Sequence, residues 1–181
     1  MKNFAFKNEI SSLELKNFRL IHNLTRKQMS DFLNISIRTL ERYESKDIKL
    51  NGSIVTLFRL INEYPELLEK YEIPKRVYPL RMFYMENGNI NTLIDVDMTN
   101  RKVKIKNYTD NILARAFGNK ENVIYEDYEE FLMSRCFPKS RDKIKIQLEM
   151  IGVPFYDPLL IIEKTKGKMA DDDYYIQIDR G

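Results

Sequence analysis

Apolar positions in the first part of the chain recur at helical spacing, and beyond residue 76 they switch to the alternation of strands. Ser11 or Ser12 caps a first helix with Leu15, Phe18 and Ile21 on one face, after an arm, residues 1–10, expected to be loose. Thr25 and Gln28 form a capping box ahead of Met29, Phe32 and Leu33, which share a face at i, i+3, i+4. Asn34 accepts the left-handed backbone that a sharp corner needs. Ile35 then turns inward. Ser36 caps a second short helix, in which Leu40 and Tyr43 face a core and Arg38, Thr39, Glu41 and Arg42 face away. After a loop, Ser53 is expected to cap a helix with Ile54, Leu57, Phe58 and Ile61 inward, and Pro65 opens a last short helix to Tyr71.

The period changes near Glu72–Arg76, between Pro74 and Pro79. Val77–Met85 reads as a strand, Asn87-Gly88 as a two-residue hairpin turn, and Ile90, Thr92, Ile94 and Val96 as an alternating partner strand. A turn at Met98–Arg101 leads to a third strand with Val103 and Ile105. That register sets Asp95 opposite Lys104 and Asp97 opposite Lys102, so this acidic pair reads as cross-strand ion pairs in preference to a metal site. Helices are expected over 110–117 with Asp110 as cap, 126–135, and 139–151 ending at Gly152. Another starts at Asp157-Pro158 and closes near Gly167. Tyr174–Ile178 returns as a strand joining the meander. The expected fold class is α+β: an all-α N-terminal domain, residues 1–72, followed by a small α+β domain with an antiparallel sheet, residues 76–181.

Composition narrows the classes. The 181 residues are 43% hydrophobic, enough for a core, and no stretch nears the ~18 apolar residues of a membrane span. The start, MKNFAFKNEI, has charges too closely spaced for a signal peptide. Cys136 is the single cysteine, so no disulfide framework exists and a cytoplasmic location is expected. The net charge of +3 is uneven. Residues 1–62 carry +5 and residues 63–181 carry −2, so only the first part has the electrostatics of a polyanion binder.

Two short helices around a tight corner make a helix-turn-helix, whose second helix fits a DNA major groove. The stretch Leu24–Glu44 resembles the XRE family, the lambda-repressor and Cro type. It supplies Leu24, Thr25, Ser30, Leu33, Asn34, Ile35, Ser36, Thr39, Leu40 and Glu44 at the places of that pattern. Asn34 replaces the usual glycine, and Arg26 stands where the family often has a phosphate-binding glutamine. The resemblance covers roughly residues 11–70. It implies base contacts from Ser36, Ile37, Arg38, Thr39 and Arg42, with phosphate contacts from the flanking Arg26, Lys27, Lys46 and Lys49. Arg38 and Arg42 lie one turn apart and share a face, each able to make bidentate contacts to guanine, and Ile37 can touch a thymine methyl. The resemblance also implies a structural ion pair between Arg19 and Glu44, and dimers on a palindromic operator. A solvated helix face, or a helical head used for protein contact, is the other reading of the same residues.

Signs of catalysis are few. The chain holds no HExxH, no Gly-rich phosphate loop and no nuclease-like acid followed by E-x-K, so no enzyme activity, metal or cofactor is expected. Cys136 reads as a small buried hydrophobe and His22 as a structural residue. Asp171-Asp172-Asp173 fits a solvated turn more readily than a cation site. Arg135, Lys139 and Arg141 with Asp142 read as an anion-binding or ion-pair cluster in preference to an active basic pocket. Tyr125, Glu126, Asp127, Tyr128, Glu129 and Glu130 are either the acidic face of a helix start or a partner-binding surface for a basic partner.

As a whole, an XRE-type head and a small α+β tail resemble staphylococcal type II-A anti-CRISPR proteins that carry an autoregulatory helix-turn-helix. That resemblance implies a head that represses its own operon and a tail that binds and inhibits Cas9, alone or guide-loaded. The competing expectation is a phage or mobile-element repressor whose tail dimerises or senses a ligand.

Overall fold

The computed structural model describes residue 5 and residues 9–45 and 48–180. The chain divides into two compact units, Met1–Glu72 and Ile73–Gly181. The fold is α+β: among the described residues there are eight α-helices and two antiparallel sheets.

The described residues of the first unit hold five helices: α1 (Ser12–Ile21), α2 (Arg26–Phe32), α3 (Ile37–Ser45), α4 (Ser53–Glu63) and α5 (Glu66–Tyr71). Residues 9 and 10, expected in a loose arm, instead begin a short strand, β1 (Glu9–Ser11), paired antiparallel with β2 (Lys49–Asn51). The reason is burial, since Ile10 and Leu50 face each other in the register and both enter the core. Ser12 locks the junction: its backbone N–H and its hydroxyl both donate to Ile48 O, and Ile48 N–H donates back to Ser12 Oγ. Ser11, rather than Ser12, caps α1, forming a capping box with Glu14. Thr25 and Gln28 form another at α2.

Leu15, Phe18, Met29, Leu40, Val55 and Ile61 make the centre of this unit's core. Ile21, expected on the inner face of α1, is exposed. Ser53 does not cap α4; Gly52 takes the cap position with φ +83°, a backbone for which glycine is suited, and no side-chain bond is made there.

The second unit is a four-stranded antiparallel sheet in the order β5-β4-β3-β6, with β3 (Leu80–Glu86), β4 (Asn89–Asp97), β5 (Lys102–Asn107) and β6 (Tyr174–Asp179). The Asn87-Gly88 turn has both residues at positive φ, as a type I′ hairpin requires. One sheet face, with Met82, Tyr84, Ile94, Val96 and Ile176, shares a core with residues of α6 (Tyr125–Ser134), α7 (Ile144–Met150) and α8 (Pro158–Thr165).

Two expected helices shrink. Residues 110–117 yield only a 3₁₀ turn, Ile112–Ala114, capped by Asn111 and not Asp110. The helix expected over 139–151 begins only at Ile144. Pro138 and Arg141 close a turn before it, and Lys143 sits at φ +57°, outside helical space. At α8 the Asp157 carboxylate accepts from Leu160 N–H at 3.0 Å, and Pro158 occupies the first turn, where its missing N–H costs nothing.

The register across β4 and β5 sets Asp95 opposite Lys104 and Asp97 opposite Lys102. The carboxylates go elsewhere. Asp95 is held by Arg81, its neighbour on β3, and Asp97 accepts from Asn100 N–H and Nδ2 at 2.9 and 2.7 Å. Lys104 is exposed, whereas Asp95 is nearly inaccessible, and a carboxylate so placed needs a buried partner able to give two parallel bonds.

Candidate nucleic-acid interface

The corner between α2 and α3 is built locally. Asn34 takes φ +53°, Ile35 N–H donates back to Ser30 O, and Ser36 Oγ accepts from Thr39 N–H at 3.0 Å, which starts α3. Leu40 is completely buried and anchors the helix, with Tyr43 half-buried beside it. Those two anchors leave Ile37, Arg38, Glu41 and Arg42 exposed. Thr39 is half-buried, and its hydroxyl lies 2.8 Å from Ser36 Oγ, so these two side chains are engaged with each other in the free protein. The Arg42 guanidinium lies over the Tyr43 ring, 5.5 Å from its centroid. Among the described residues no carboxylate pairs with Arg38 or Arg42.

Behind this face, Arg19 and Glu44 meet. Arg19 Nε donates to Glu44 Oε1 at 2.5 Å and Nη2 to Oε2 at 3.1 Å, while Nη1 reaches Leu24 O at 3.1 Å. Arg26 joins them, its Nε donating to Glu44 Oε2 at 3.0 Å. The Glu44 carboxylate is 2% exposed and Arg26 is half exposed, so α2, α3 and α1 are tied at one buried anion. Burial alone would raise the Glu44 carboxyl, but the hydrogen bonds from Arg19 and Arg26 outweigh it and hold it below the usual carboxylate range. The third member was not legible in the sequence, because Arg26 and Glu44 are eighteen positions apart and share no local pattern.

Of the other expected phosphate contacts, Lys27 and Lys49 are exposed and already engaged. Lys27 pairs with Asp31 one turn on, and Lys49 pairs with Glu9 across β1 and β2. Lys46 lies outside the described residues. His22 packs against Phe18, ring centroids 4.4 Å apart.

In the second unit, the acidic stretch at α6 differs from the expected partner surface. Tyr128 belongs to the core, 2% exposed with its hydroxyl unpartnered, because its position on α6 points at the sheet. Arg101 engages three of the remaining side chains, of which Glu126 and Glu129 stay exposed. Its guanidinium donates to Glu126 at 2.7 Å and Glu129 at 3.3 Å and lies 4.3 Å from the Tyr125 ring centroid. Lys120 pairs with Asp127, which also accepts from Ile124 N–H at the start of α6. Glu130 is exposed, beside an open hollow lined by Phe117, Lys120, Asp127, Phe131 and Ser134.

Arg135 does not join Lys139 and Arg141 in the expected basic cluster. Arg135 is buried and donates to Asp172 from Nη1 and Nη2 at 2.6 and 2.9 Å, and to the carbonyls of Gly167 and Tyr174. Asp172 is therefore the partner of an arginine and no cation site. Cys136 is buried, and burial pushes its thiol up to about 11. Among the described residues no cluster of three or more His, Cys, Asp or Glu is placed to hold a metal ion. No helix of the described residues is long and apolar enough to cross a membrane.

Compared with known proteins, the chain matches no family model, no curated protein and no solved structure.

Proposed function

We propose that the first unit is a sequence-specific double-stranded-DNA binder of the XRE helix-turn-helix type. It binds a palindromic operator as a homodimer and represses its own operon in the bacterial cytoplasm. The observation that carries this reading is α3: Ile37, Arg38 and Arg42 stand exposed on a helix anchored from behind by Leu40, and neither arginine has a carboxylate partner among the described residues. An α-helix fits the major groove, and each bidentate arginine–guanine contact is worth about 1–3 kcal/mol of discrimination. Ser36 and Thr39 contact bases once the DNA replaces their mutual bond. Arg26, Lys27, Lys46 and Lys49 hold phosphates, Arg26 from its place on Glu44.

The test is a selection by the purified chain from randomised duplexes. The expected product is an inverted repeat with half-site centres about 10 base pairs or a multiple apart. Arg38→Ala with Arg42→Ala should abolish that preference without unfolding the protein. Unchanged enrichment by the double variant would sink the groove assignment.

For the second unit the proposal is inhibition of a type II-A Cas9, and its support is the whole-chain resemblance. Adding the full chain to guide-loaded staphylococcal Cas9 should stop cleavage of a matched target, and the Arg38→Ala, Arg42→Ala variant should stop it equally. Undiminished cleavage would leave a repressor whose second unit dimerises or senses a ligand.

A further inference from the structure

The second unit keeps its arginines occupied. Arg76, Arg81, Arg101, Arg115, Arg135 and Arg180 each meet a carboxylate. Among the described residues Arg141 is the exception, and it does not stand alone. Lys139, Arg141, Lys143 and Lys145 fall at every second position of one short stretch, all exposed, with no ion-pair partner among the described residues. Asp142 is the one carboxylate inside the stretch, and Glu149 follows on α7; both are exposed. The local charge is thus strongly positive in a unit whose charges otherwise nearly cancel.

Exposed apolar side chains follow directly. Ile146 and Met150, one turn apart on α7, are 52% and 80% exposed, and Phe155 after the helix is 60% exposed. A phosphate backbone explains the cations, and unstacked bases explain the apolar groups beside them, since every base offers a π-face to an aromatic ring. A duplex hides those faces inside its stack and would leave Ile146, Met150 and Phe155 unused.

From these observations we propose that the stretch 139–155 is a second nucleic-acid surface, one that holds a single strand without reading its sequence. Lys139, Arg141 and Lys145 contact phosphates and Phe155 stacks on a base. The surface is independent of α3 and stands whether or not the first unit reads an operator.

The experiment follows binding of the full chain to a short fluorescent single-stranded RNA of mixed sequence across a salt series. Arg38→Ala with Arg42→Ala serves as the background, so that groove contacts do not contribute. A triple change, Lys139→Ser, Arg141→Ser and Lys145→Ser, should weaken binding at least tenfold. It should also flatten the slope of log K against log salt by about 2, near 0.7 for each phosphate no longer neutralised. Phe155→Ala should weaken binding about fivefold or more and leave that slope unchanged. All four positions are exposed, so the thermal midpoint should not move. Equal binding by the triple variant and its background would overturn the proposal, as would no binding by the background protein. Binding of polyglutamate as tight as that of RNA, with Phe155→Ala without effect, would also overturn it and point to an acidic protein partner.

Discussion

Arg81 and Asp95 face each other on adjacent strands and join through two parallel hydrogen bonds, Nε to Oδ1 at 2.7 Å and Nη2 to Oδ2 at 2.8 Å. Both side chains are nearly inaccessible, 6% and 2% exposed. The pair also gathers the start of the second unit: Arg81 Nη1 donates to Pro74 O, and Asp95 accepts from Val77 N–H. Residues 73–79 therefore belong to the folded unit, and a fragment begun after Pro74 would remove one acceptor of a buried arginine.

Breaking this pair from one side leaves an unpartnered buried group. Asp95→Asn should destabilise the second unit by about 3–5 kcal/mol, the range for a broken buried ion pair. Lys104→Ala, opposite Asp95 in the register, should change stability by less than about 0.5 kcal/mol. Urea denaturation of the three proteins decides it; equal losses would return Asp95 to Lys104.

Glu44 sets a pH dependence. Its carboxyl is lower in the folded state than in the unfolded chain, so its contribution is fully present above the ordinary value of about 4.3. That contribution fades as pH falls through the lowered folded value. Glu44→Gln should therefore cost most near neutrality and least in acid, and the two stability curves should converge as pH drops. A constant gap between pH 7 and pH 3 would show that protonation of Glu44 is not linked to folding.

Asn34 has φ +53° at the corner. Asn34→Ala should cost about 1 kcal/mol, and Asn34→Val more, because a Cβ substituent crowds the carbonyl in this conformation. Asn34→Gly should be close to neutral or slightly stabilising. Thermal midpoints of the three variants give the order, and a stable valine variant would contradict the left-handed corner.

Cys136 should be inert. With its thiol buried and raised to about 11, it should resist a thiol reagent near pH 8 in the native protein and react at once in guanidinium chloride. Rapid native labelling would mean that the core around α6 and α8 opens readily.

The stretches read correctly from sequence are those whose partners lie a few residues away. The Thr25/Gln28 box, the corner at Asn34, the Asn87-Gly88 turn and the Asp157-Pro158 start are each decided by hydrogen bonds and φ preferences within one turn of chain. The same local logic exposes Arg38 and Arg42 once Leu40 and Tyr43 are turned inward. It fails over 139–143, where a longer helix was expected but Pro138 and the left-handed Lys143 hold the chain outside it.

Charged side chains were the other failure, and for one reason. A carboxylate's partner is whichever cation the fold carries into the same low-dielectric place, and sequence distance says nothing about that. Arg26 finds Glu44, Arg135 finds Asp172 thirty-seven positions on, and Asp95 passes over the Lys104 that faces it in favour of Arg81. Tyr128 shows the same limit for an aromatic ring among carboxylates: its neighbours in sequence, Asp127 and Glu129, are acidic, and only the sheet beneath α6 decides that it is core. Local bonding made the elements and the outward face of α3 readable in advance, while the pairing of buried charge waited for the strands and helices to meet.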